Sequence, residues 1–166
     1  FSKWPISVIK KLYKNPVIAA NRITIKYNIT SSVSLGSDNH HRIGFSLNVP
    51  VDRDKNLRVG GIKNYTHGFR KNVSQNVTDT NKRDEMLVRV KFGFQPAQTL
   101  SVLGTFIATD LKNGYDTWAP DNNTDLKTYS NNEGEDSQKT FGYSIRAHYS
   151  HSDKMNITSI TSFTET

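Results

Sequence analysis

The chain has 166 residues, a formal net charge of +7, only 34% hydrophobic residues and no cysteine. That length suits one domain, and the missing cysteines exclude a disulfide framework, a thiolate metal site and a cysteine nucleophile. No apolar run approaches the roughly 20 residues that a membrane-crossing helix needs, although short alternating barrel strands escape that test.

Residues 1–21 form a basic lead-in with two prolines, in which Ile6, Ile9 and Tyr13 are spaced for a short amphipathic helix or an irregular stretch. From Arg22 the pattern changes. Ile23, Ile25, Tyr27, Ile29, Val33 and Leu35 fall on odd positions, with polar residues between them. A period of two puts alternate side chains on opposite faces of a strand, whereas a helix would scatter them around its axis. Ile43, Phe45, Leu47 and Val49 repeat the pattern. LRVGGIKNYT alternates less cleanly, and Met86, Val88, Val90, Phe92 and Phe94 resume it. A strand over 99–109 follows the turn QPAQ, then Phe141, Tyr143, Ile145, Ala147 and Tyr149 alternate, and Met155–Thr164 closes the series. The expectation is an all-β chain, an antiparallel meander of about seven strands of roughly ten residues.

The connections are short at 36–41, 52–56, 95–98 and 150–154 and long at about 67–84 and 110–139. Tight turns at one end of the strands and long loops at the other are the pattern of a transmembrane β-barrel, with short periplasmic turns and long extracellular loops. Tyr143, Tyr149, Phe92, Phe94 and Phe163 are expected near the ends of the apolar faces, as barrel girdles are.

The basic residues are spread out with no nucleic-acid motif, so they read as a solvated surface rather than a nucleic-acid footprint. Asp121, Asn123 and Asp125 begin like a calcium loop, but Leu126 stands where glycine is needed and Asn132 where a bidentate Glu is needed. His40, His41, His67, His148 and His151 make no zinc spacing, so no metal is expected. No nucleophile–base–orienter set stands out, which argues against an enzyme, and no cofactor motif occurs. Asn-x-Ser/Thr sequons at Asn28, Asn64, Asn72, Asn76, Asn122 and Asn156 keep a secreted β-sandwich or carbohydrate-binding module in view.

The segment NGYDTWAPDNN, followed by TYSNNEGEDSQKT and an alternating strand, resembles the TonB-dependent receptors, the β-barrel importers of the Gram-negative outer membrane. The run THGFRKNVSQNVTDTNKRDEMLVRVKFGFQP is similar to the same family's sequence just before it. The resemblance is best over 65–164 and weaker over 22–64. It implies a barrel of about 22 strands around a plug, importing a scarce small molecule such as a ferric siderophore with energy from TonB. No plug or TonB box is matched here, and about seven strands make a third of such a barrel. Residues 22–166 are therefore expected to be a portion of a receptor barrel in the outer membrane, in contact with its lipid. TonB would act only through other parts of the receptor. A small self-closing eight-stranded barrel is the nearest alternative.

On this reading the loop from Leu111 is extracellular. Tyr115, Trp118 and Tyr129 would stack on a ligand, and Asp116, Asp121 and Asn122 would bind its polar groups; such aromatics more commonly pack a loop onto its neighbours. Arg42, Arg58, Arg89, Lys91 and Arg146 fall on polar positions and would face the lumen. There they would gather anionic ligands or pair with carboxylates of a plug.

Overall fold

The computed structural model describes residues 26–116, 119–152 and 155–166. The helix considered at about 6–14 and the first residues of the alternating run lie outside them. Seven long strands form one sheet: β1 (Asn28–Leu35), β2 (His41–Pro50), β3 (Lys55–Thr66), β5 (Arg83–Ala97), β6 (Leu100–Gly114), β8 (Glu135–Ser152) and β9 (Met155–Glu165). Two short strands, β4 (Lys71–Asn72) and β7 (Lys127–Thr128), pair with each other inside the long loops. The sheet order is β1-β2-β3-β5-β6-β8-β9, and every neighbouring pair is antiparallel. This is the expected meander.

Turn chemistry explains the tight connections. Asp38 and Asn39 both adopt positive φ, and His40 N–H donates to Ser37 C=O at 3.0 Å. Two consecutive left-handed residues match the twist of a hairpin, and Asp and Asn tolerate that conformation better than most side chains. At the other end of the strands, Asp52 caps its turn by accepting from Arg53 N–H, and Gln98–Thr99 alone joins β5 to β6.

The register places all the odd-numbered apolar residues of β1 and β2 on one face with those of the later strands. Ile29, Leu47, Val59, Val90, Phe106, Tyr143 and Phe163 lie in a single cross-strand row. Five such rows are mainly apolar, from Leu100 opposite Tyr149 up to Ala108 opposite Phe141, with Lys55 at the end of the Val102 row and Glu165 at the end of the Ala108 row. They extend about 27 Å along the strands. The next row toward the long loops reads Val33, Ile43, Lys63, Met86, Asp110 and Lys139, and Lys63 pairs with Asp84 one row further on. Charge therefore enters this face on β3, β6 and β8, while β1 and β2 stay apolar there.

Almost none of the described residues covers either face. Ala119 is the sole buried hydrophobic residue among those described. Ile29 is 78% exposed, Phe45 53% and Ile145 55%. Backbone pairing and cross-strand contacts hold the sheet, for example Tyr143 stacked on Phe163 at 5.5 Å.

Two sequence expectations change. The strands flanking the second loop run on to Gly114 and start at Glu135, so the loop is 115–134 rather than 110–139. Polar pairs such as Lys112 opposite Ser137 continue the ladder there, because backbone pairing does not need apolar side chains. Tyr143, Phe92 and Phe163 lie inside the apolar band rather than at its ends, whereas Tyr149 and Phe94 sit toward the short-turn border.

Among the described residues, β5 and β6 are paired on both sides, whereas β1 and β9 each leave one edge without a partner strand. Amide hydrogen exchange should be slowest in β5 and β6 and faster by orders of magnitude at the outward N–H groups of β1 and β9. Equal protection of β1 and β6 would contradict an open sheet.

Candidate functional site

The long-loop end of the sheet carries the most buried cluster among the described residues. Asn72 and Thr128 are completely buried, and Thr80, Asn81 and Asp116 nearly so. All are polar. The loops 67–82 and 115–134 are clasped through them. β4 and β7 pair in parallel, Lys71 N–H donates to Leu126 C=O at 3.1 Å, and Val73 N–H donates to Thr128 C=O at 2.9 Å.

Asp116 is the centre of this clasp. Its Oδ2 accepts from Asn72 Nδ2 at 3.1 Å and from the Thr128 hydroxyl. Asn72 Nδ2 also donates to Ser130 C=O at 2.8 Å, and Asn72 Oδ1 accepts from Gln75 N–H. Each buried group thus has a partner, as burial requires. Asn81 organises the start of the first loop. Its Oδ1 accepts from both Phe69 and Arg70 N–H at 3.0 Å, below the positive φ of Gly68. Gly134 lies so close to the Tyr115 carbonyl that a Cβ would stand 2.2 Å from its oxygen.

The proposed contact residues divide. Tyr115 is 69% exposed and Tyr129 44%, so both present rings on the outside of the clasp. Asp121 accepts from Asn123 Nδ2 at 2.6 Å and from the Tyr129 hydroxyl, and those bonds hold its carboxyl below the usual carboxylate range. Partial desolvation and the bond to Asp121 push the Tyr129 phenol up. A hydrogen bond from Lys127 to Asp125 at 2.8 Å raises the Lys127 ammonium. Tyr129, Asp121 and Asn123 therefore form one hydrogen-bonded patch. Asn122 is a turn residue with φ 48°, its N–H bonded to Ala119 C=O. Asp116 points into the clasp and positions the loop. Trp118 lies outside the described residues.

Four of the five basic residues expected to face a lumen are gathered by the register. Arg58 stands directly opposite Lys91. Arg89 is two residues along the same strand, and Arg146 opposes Leu103, which opposes Gly93, one row away. Arg42 is apart, between Ser34 and Asn64 near the long-loop end.

Strands as short as β4 and β7 carry no readable period, and the partners Asn72 and Thr128 are 56 residues apart in the chain. The first loop's part in the site was therefore missed. Among the described residues no group of three His, Asp or Glu side chains is placed to hold a metal ion. No described helix is long and apolar enough to cross a membrane, which says nothing of strands. No protein-family model, no curated protein and no solved structure matches the chain.

Three outcomes follow. Asp116→Ala removes a charged acceptor from two buried donors and should cost about 2 kcal/mol, seen as faster hydrogen exchange in both loops together and not in β5 or β6. Leu126 holds φ 58°, a conformation that costs a side chain about 1 kcal/mol, so Leu126→Gly should raise the unfolding midpoint slightly. The Asp121 carboxyl is depressed in the folded chain, so its contribution is complete above the ordinary carboxyl range and is lost as pH falls through the depressed value. An NMR titration should show the Asn123 amide moving only at that lower pH.

Proposed function

We propose that the chain is a portion of an outer-membrane receptor barrel of the TonB-dependent type, a transporter rather than an enzyme, taking up a small molecule such as a ferric siderophore. The single observation that carries this reading is the bare apolar face. An isolated open sheet with such a face is not stable in water and needs a cover. The five apolar rows, about 27 Å along the strands, give about 21 Å of height at the tilt of barrel strands, close to the apolar band such barrels present to lipid. Lys63, Asp110 and Lys139 stand in the row above.

In this arrangement the turns 51–54 and 98–99 face the periplasm. The clasped loops 67–82 and 115–134 lie outside the cell, where Tyr115 and the Tyr129–Asp121 patch meet the ligand. Asn72 is fully buried, so its sequon cannot carry a glycan in the folded chain, which weighs against the secreted alternative. The polar face, with Arg42, Arg58, Arg89, Lys91 and Arg146, lines the lumen.

Refolding with and without detergent, followed by far-UV circular dichroism and size-exclusion chromatography, tests this reading. β-structure is expected only where detergent or the rest of the receptor covers the apolar face; a monodisperse β-rich monomer in plain buffer would refute it. Val90→Lys, in the middle of the apolar band, should cost about 2–4 kcal/mol in lipid, whereas Thr109→Lys on the polar face, opposite Leu87 and Thr140, should cost far less.

A further inference from the structure

The four cations Arg58, Lys91, Arg89 and Arg146 lie within three successive rows of the polar face, around the middle of the strands. Like charges directly opposite each other across a strand pair destabilise it, and Arg58 and Lys91 are such a pair. None of the four has an ion-pair partner among the described residues; the pairs formed there use Lys55, Lys63, Lys82, Lys112 and Lys127.

The described carboxylates at the short-turn end lie in the turn before β3: Asp52, paired with Lys55 at 3.7 Å, and Asp54, four residues before Arg58; neither forms an ion pair with the cluster. The polar-face positions of the described strands carry only two carboxylates, Glu85 and Asp136, both at the long-loop end. Glu85 is already taken by Asn64 Nδ2 at 2.9 Å and Asn113 Nδ2 at 3.3 Å. Residues 1–25 contain no Asp or Glu. Hydroxyl donors, by contrast, are interleaved: Thr105 opposes Lys91, and Ser144 opposes Thr105 in the same row.

We propose that this cluster is a binding site for a small, multiply charged oxyanion, of the phosphoryl or polycarboxylate class. Two or more negative charges would relieve the Arg58–Lys91 repulsion. The guanidinium groups offer forked donors that fit paired oxygens, and the hydroxyls supply neutral donors beside them. The site lies around the middle of the strands, away from the Tyr129–Asp121 patch in the long loops. In the receptor reading it is a second station for an anion inside the lumen, and its transport role rests on that reading. Binding itself needs only the polar face.

The test uses the whole chain, in detergent or in buffer, whichever keeps it folded, so that failure of the membrane reading is seen separately. Calorimetric titration at constant ionic strength uses pyrophosphate, citrate and a glutamate oligomer. Pyrophosphate or citrate should bind, the tighter one naming the class. Arg58→Gln with Lys91→Gln should weaken it by about a hundredfold, roughly tenfold per charge, and Arg42→Gln should leave it within about twofold. Without any anion the double variant should melt above the unaltered chain, because the repulsion is gone. No binding of either small anion, equal loss in Arg42→Gln, binding of the glutamate oligomer alone, or a lower melting point of the double variant would each overturn the proposal.

Discussion

Each strand leaves a row of N–H and C=O groups pointing sideways, and those groups must be paired wherever water is kept away. Satisfying them is the constraint on which this structure depends. The seven-strand ladder does so continuously from β1 to β9 and fixes every side chain to one face or the other. A slip of one residue would send Phe45 and Val90 to the polar face and Arg58 and Lys91 to the apolar one. The separation of the two faces is thus a property of register, not of a folded core.

The usual core is displaced in this chain. Where a soluble domain buries leucines and valines, the fully buried side chains among the described residues are Asn72 and Thr128, both in the clasp between the long loops. Polar groups can be buried there because each finds a partner, and a carboxylate, Asp116, ties three segments at one point. The apolar side chains meanwhile lie bare along the sheet. A chain arranged so has placed its hydrophobic surface for something outside itself, and its specificity for its own loops in hydrogen bonds.

That arrangement also divides the chemistry along the strands. Exposed aromatics and the Asp121 patch sit at the long-loop end. Cations without an ion-pair partner among the described residues gather around the middle of the polar face, apart from Glu85 and Asp136, the two carboxylates on that face of the described strands. Residues that a linear reading treats as scattered basic charges become a cluster once three strands are laid side by side.

The strand series and the two faces were determined by the sequence alone, because a period of two is local and Ile43, Phe45, Leu47 and Val49 declare it without reference to any partner. Turn residues such as Asp38 and Asn39 were equally local. The ends of β6 and β8 were not legible, since polar residues pair as well as apolar ones once the ladder has begun. Only the tertiary structure decided that Asn72 meets Asp116 and Thr128, that Asp116 holds a loop while Tyr129 is presented beside it, and that Arg58 stands opposite Lys91. Those relations depend on register and on loop docking between segments far apart in the chain, and no pattern within one segment encodes them.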